Sequence, residues 1–137
     1  MEEKLDEFFE QYKSILMIPS YYDLTSENSY HMMMLGMCLC YSNQYDIISN
    51  REVGKGRNDL ILKAKRPDHT SFVLEFKYLK ESKKNVYEEL DHLANSALQQ
   101  IKDRKYDFGL RGKVIYIGLA HCGKDVVMKS LKMGGGN

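Results

Sequence analysis

Ser71-Phe72-Val73-Leu74-Glu75-Phe76-Lys77-Tyr78-Leu79 decides the reading of this chain, because it is an apolar strand with a carboxylate and an ammonium set inside it. Charges in so hydrophobic a run are costly to desolvate unless something compensates them, so they ask for a ligand or a chemical role. Side chains two apart in a strand share a face, which sends Glu75 and Lys77 out together. Val73 and Leu79 lie on that face too and indicate that it is partly covered. Upstream, Gly54-Lys55-Gly56-Arg57-Asn58-Asp59 runs into a second apolar strand, Leu60-Ile61-Leu62, with Asp59 at its mouth. Carboxylates from successive strands repel one another unless a cation lies between them. Asp59, Glu75 and Lys77 therefore form a constellation for holding magnesium or manganese beside a phosphate, since these hard ions prefer oxygen ligands. Lys77 would position the attacking water or offset charge building on the phosphoryl group.

Outward from this strand the chain alternates helical and extended signals. Leu5, Phe8, Phe9, Tyr12, Ile15 and Leu16 form a helical stripe over residues 4 to 16, acidic on its outer side and ended by Pro19-Ser20. Thr25 or Ser26 opens a second helix that runs to about Ser42. Gln44 to Val53 and Asn58 to Lys65 read as strands joined by a tight turn at Gly54-Lys55-Gly56. The turn Arg66-Pro67-Asp68-His69-Thr70 returns the chain into the Glu75 strand, giving three antiparallel strands in a row. A long helix is expected over Lys84 to Lys105, with Val86, Leu90, Leu93, Ala94, Ala97 and Ile101 on one face. Val114 to Ala120 is a second central strand, reached from the first by a right-handed parallel crossover. Val126 to Met133 fits either a short edge strand or a helical turn. The whole predicts an α/β fold in which a mixed central sheet is flanked by helices. Residues 1–24 form an amphipathic helix and connector, 25–133 the main domain, and 134–137 a flexible tail.

At 137 residues and 43% apolar content the chain fits one domain with one substantial core. Its net charge of +1 is unevenly spread: Glu2, Glu3, Asp6, Glu7 and Glu10 crowd the first ten residues against Lys4 alone. Arg51, Lys55, Arg57, Lys63, Lys65 and Arg66 gather around the first hairpin, a solvated edge or a surface for a polyanion. Three cysteines, Cys38, Cys40 and Cys122, and acids directly after Met1 make a reducing cytosol the simplest setting. The apolar stretch Met32 to Cys40 is too short to span a bilayer and reads as a buried helix. Cys38 and Cys40 fall on roughly opposite sides of it, which argues against a zinc clip.

Other signals are weaker. Glu27 stands in the first turn of its helix, where the macrodipole explains a carboxylate without chemistry, and His31 follows one turn later on the same face. Gln100 lies on the shoulder of the long helix's apolar stripe. Gly118-Leu119-Ala120-His121-Cys122-Gly123-Lys124-Asp125 has phosphate-loop spacing up to its last position, but Asp125 replaces the hydroxyl residue and would repel a nucleotide. Neither His121 nor Cys122 has a partner nearby in sequence for nucleophilic work, so both read as structural. His69 and His92, in a turn and on a polar helix face, carry no assignment.

Taken in order, Glu27-Asn28-Ser29-Tyr30-His31, Ser49 to Asp59, Leu74-Glu75-Phe76-Lys77, Ala97-Leu98-Gln99-Gln100-Ile101 and Tyr116-Ile117-Gly118-Leu119-Ala120 resemble the PD-(D/E)XK nuclease superfamily. The match covers about Ser26 to Val127 and is nearest the bacterial branch usually found C-terminal to an ATPase-like domain. The resemblance implies a restriction-endonuclease-like α-β-β-β-α-β core with its site on the sheet edge near Asp59. It further implies a Mg2+- or Mn2+-dependent nuclease, endonuclease or exonuclease, that leaves a 5′-phosphate. Asp59 and Glu75 would be metal ligands, Glu27 the helix glutamate completing the metal site, Lys77 the catalytic lysine and Gln100 the helix glutamine beside them. The family's proline is Asn58 here. Arg51, Lys55 and Arg57 would contact phosphates of a nucleic acid, DNA rather than RNA. A homodimer and an ATPase domain or protein are the other partners this reading admits, with no membrane. The competing reading is a catalytically inactive module of the same fold that binds nucleic acid or protein within a larger assembly.

Overall fold

The computed structural model describes residues 2–19, 24, 26–52, 57–82, 85–104 and 108–134, with the backbone alone for 2–4, 51, 52, 57 and 134. Helix α1 spans Glu2–Leu16, α2 Glu27–Cys38 and α3 Val86–Asp103; the strands are β1 Tyr45–Glu52, β2 Arg57–Ala64, β3 Ser71–Tyr78, β4 Lys113–Cys122 and β5 Asp125–Gly134. The five strands lie in chain order in one sheet. Pairing is antiparallel except between β3 and β4, which run parallel. A parallel pair cannot be joined by a tight turn, so α3 supplies the crossover. The mixed sheet between helices is the architecture the sequence predicts.

Alternation along the strands sorts the core into two layers. Leu60, Leu62, Leu74, Phe76, Ile115, Ile117 and Leu119 face α1 and α2, where Tyr12, Leu16, Tyr30 and Met34 are buried. Ile61, Val73, Tyr116 and Ala120 face α3 and its Leu90, Ala94 and Ile101. Complete burial of a side chain such as Leu16 contributes about 2 kcal/mol. Ser26 caps α2, accepting from the Ser29 N–H. Asn85 caps α3 by accepting from Tyr87 and Glu88, and Glu88 and Glu89 suit the positive end of that helix.

Gly118 sets the distance between α3 and the sheet. A Cβ on it would lie 2.2 Å from the Ala94 carbonyl oxygen, so only glycine lets the helix backbone approach this closely. Its neighbour in register on β3 is Glu75. The β4–β5 hairpin closes through Gly123 and Lys124, with Gly123 at φ +59. A positive φ at the first residue only is the pattern of a type II′ turn, whose twist matches the flanking strands.

Two expectations are corrected and one is narrowed. Of the two forms open to the segment from Val126, the structure has the edge strand, β5, because the tight hairpin leaves it in register with β4. The apolar stretch beginning at Met32 is not wholly buried: Met32 is 54% and Leu39 57% exposed, since α2 is apolar on all sides and rests only one of them on the sheet. Asp59 is not on a sheet edge, because β1 covers that side of β2. The expected turn at Gly54-Lys55-Gly56, Thr25 as a cap, both expected ends of the long helix at Lys84 and Lys105, and Gly135 to Asn137 lie outside the described residues.

Candidate active site

A single row of residues runs across the α3 face of the sheet, Asn50 opposite Asp59, Asp59 opposite Glu75, Glu75 opposite Gly118 and Gly118 opposite Lys129. Consecutive antiparallel strands carry the two carboxylates to the same face with no residue between them. Both are fully buried, Asp59 at 0% and Glu75 at 0% exposure. The amide of Asn50 donates to Asp59 Oδ1 at 2.8 Å. Lys77, one pleat beyond Glu75 on the same face, is half-buried.

The positive charge that meets the two carboxylates directly comes from the end of α3. Arg104 caps that helix, and its Nη1 donates to Glu75 Oε1 at 3.1 Å while standing 3.7 Å from Asp59 Oδ2. One guanidinium nitrogen thus spans both carboxylates. Burial raises the Glu75 pKa from 4.5 to about 8; Arg104 and then Lys77 pull it back, and the charges of Asp59 and Glu27 push it further up. Burial wins because the fold removes this carboxyl from water more completely than one guanidinium contact offsets.

Glu27 enters from the opposite layer, at the first turn of α2. Its Oε2 accepts from Asn58 Nδ2 at 3.4 Å. Asn58 Oδ1 in turn accepts from His31 Nδ1, and His31 Nε2 accepts from the Ser49 hydroxyl at 2.6 Å. A buried histidine one turn below Glu27 therefore braces Asn58, which steers the glutamate. Both ring nitrogens of His31 are thus taken up by protein partners.

The donor set fits a hard cation. Among the described residues, Glu75 Oε2 and Gln100 Oε1 are buried oxygens without a hydrogen-bond partner. Such oxygens are costly in a protein interior and are the ligand type that magnesium and manganese prefer. No three His, Cys, Asp or Glu side chains among the described residues stand close enough to hold a metal by themselves. A cation here would take Asp59, Glu75 and water, with Glu27 near enough for its charge to be felt at Glu75.

Asp59 and Glu75, expected together, are together, and Lys77 shares their face. Gln100 is on the same helix as Arg104, one turn before it, with its oxygen buried rather than solvated. Lys55 and the side chains of Arg51 and Arg57 lie outside the described residues. Arg104, Asn50 and the His31–Asn58 brace are additions to the sequence reading. Asn50 is accessible by counting register back through the first hairpin; Arg104 falls on the Ala97–Gln100 helical stripe, but a basic residue at a helix end is too ordinary a signal to single out.

A second buried polar cluster lies behind Lys77. His121 Nδ1 donates to the Lys77 carbonyl at 3.2 Å, so Nε2 accepts from the Tyr12 hydroxyl at 2.7 Å, and Tyr30 stacks on the ring at 4.0 Å. Burial lowers the His121 pKa to about 3, keeping the ring neutral. A cavity of about 420 Å³ opens between α1 and the sheet, lined by Leu5, Phe8, Tyr45 and Phe72, and none of the residues above borders it.

A family profile described as the PD-(D/E)XK nuclease superfamily matches residues 25–131, taking in the whole row of site residues and leaving α1 outside. No curated protein and no solved structure matches the chain. No helix of the described residues is long and apolar enough to cross a membrane.

Proposed function

The chain belongs to the PD-(D/E)XK nuclease superfamily, and from that premise we propose that it is a divalent-metal-dependent nuclease hydrolysing phosphodiester bonds of nucleic acid, DNA in preference to RNA. What supports the reading is the buried Asp59–Glu75 pair with a partnerless Glu75 oxygen and Lys77 on the same face. Asp59 and Glu75 would hold Mg2+ or Mn2+, with Glu27 at the periphery. When bound, such an ion supplies positive charge to the phosphoryl oxygens and makes water a stronger nucleophile. Lys77 offsets the negative charge that gathers on the phosphoryl oxygens as the bond to water forms. Gln100 orients water through its buried oxygen, and Asn50 holds Asp59 Oδ1 so that Oδ2 faces the metal side. Arg51, Lys55 and Arg57 contact the phosphate backbone, which makes binding fall steeply with salt.

The test is cleavage of supercoiled plasmid, single-stranded DNA and structured RNA with magnesium or manganese, wild type beside Glu75→Ala and Lys77→Ala. Loss of cleavage in both folded variants supports the reading and identifies the substrate. A second reading, a non-catalytic binding module, draws on Arg104 already meeting both carboxylates. Nucleic-acid affinity with no metal binding and no cleavage would favour it.

A further inference from the structure

We propose that Arg104 is the resident counter-cation of the Asp59–Glu75 pair and competes with the divalent metal for it, so that the side chain must leave the carboxylates for the site to load. This rests on the metal-dependent reading above and adds how that site is held before its ion arrives.

Arg104 Nη1 stands 3.1 Å from Glu75 Oε1 and 3.7 Å from Asp59 Oδ2, the two groups that would hold the ion. Guanidinium and ion cannot share that position: their charges repel, and a protonated guanidinium has no lone pair to offer an ion that prefers oxygen ligands. Arginine cannot escape by losing its proton, so it yields only by moving. The geometry favours movement. The contact to Glu75 is a single nitrogen rather than the two-pronged fork that makes arginine–carboxylate pairs hard to break. The side chain is 22% exposed, against 0% and 1% for its two partners, so it has a route towards water that they lack. Its backbone is the C-cap of α3 and lies outside the regular helix, so the helix need not unwind. Once withdrawn, the guanidinium stays tethered beside the site and is available to a phosphate oxygen.

The test is calorimetric titration of Mn2+ into wild type, Arg104→Met and Asp59→Ala, with thermal unfolding of each in chelator. Arg104→Met is expected to bind Mn2+ about tenfold more tightly or better, as loss of one charged contact implies, and to unfold at a lower temperature without metal. Equal or weaker binding by Arg104→Met, with binding abolished in Asp59→Ala, would overturn the competition while leaving the metal site standing. Absence of binding in wild type and Arg104→Met alike would overturn the metal-dependent reading itself. Should Arg104→Met not fold, the Nε–H resonance of Arg104 in the wild-type protein decides: a shift on addition of Mg2+ supports displacement, and an unmoved resonance in a protein that binds Mg2+ refutes it.

Discussion

Glu75 faces Gly118 across the parallel β3–β4 pair, and the absent side chain of the glycine is filled by the Ala94 carbonyl of α3. The carboxylate's depth and the helix's closeness are thus one feature. Gly118→Ala places a Cβ 2.2 Å from a backbone oxygen that cannot rotate away, so α3 must shift. A cost of about 1–3 kcal/mol is expected in urea unfolding, because α3 carries Arg104 and Gln100 away from their places over the sheet. An unchanged midpoint would show that the helix backbone does not lie this close to β4.

Asn58→Ala removes both ends of a relay, leaving His31 Nδ1–H buried without its acceptor and Glu27 without its donor. The expected loss is about 1–3 kcal/mol of stability. In a double-mutant cycle with His31→Ala the two costs should fall short of additivity by at least about 0.5 kcal/mol, as befits groups in contact. Strict additivity would break the relay.

The buried carboxyl of Glu75 costs the metal-free fold stability once it ionises. Its pKa is raised to about 8 by burial, so between 4.5 and 8 the unfolded chain holds fewer protons than the folded one and metal-free stability falls as pH rises. Glu75→Gln keeps an oxygen for Arg104 and discards the buried charge. Without metal it should be more stable than wild type by about 1 kcal/mol or more at pH 8, and inactive. A less stable variant would mean that the Arg104 pair outweighs the burial cost.

The neutral ring of His121 gives the opposite slope. Its folded pKa is lowered to about 3, mainly by burial between Tyr12 and Tyr30, so the unfolded chain takes up the proton first as pH drops. Stability from this residue is full above 6.5 and drains away between 6.5 and 3. Between pH 7.5 and 5.5 the change in unfolding free energy should be more favourable by about 1 kcal/mol in His121→Gln than in wild type, whatever the contribution of Glu75 to both. Parallel profiles would show that the ring is reached by water.

The order of helices and strands was legible because each segment carries its own period, as Leu5 to Leu16 and Val114 to Ala120 do. The last strand was not, since Val126 to Met133 is short enough for either structure and only the hairpin at Gly123 decides. The burial of α2 escaped notice for the opposite reason: Met32, Met33, Met34 and Leu35 are consecutive, and an all-apolar surface does not say which side meets the core. Within the site, Asp59, Glu75 and Lys77 could be grouped because strand alternation is rigid and the strands are consecutive. Arg104 could not, because nothing short of the path of the crossover brings the far end of α3 back over β2.

Sheet order repeats chain order, which dictates when the parts of the site meet during folding. Asp59 and Glu75 come together as soon as β2 and β3 pair through their short link, whereas Arg104 arrives only when the longer loop through α3 has closed. The nascent sheet therefore carries two like charges at its centre before their cation exists. If the site binds a divalent ion as proposed, that ion could take the place before Arg104 arrives, and refolding should then be faster in Mg2+ than in chelator.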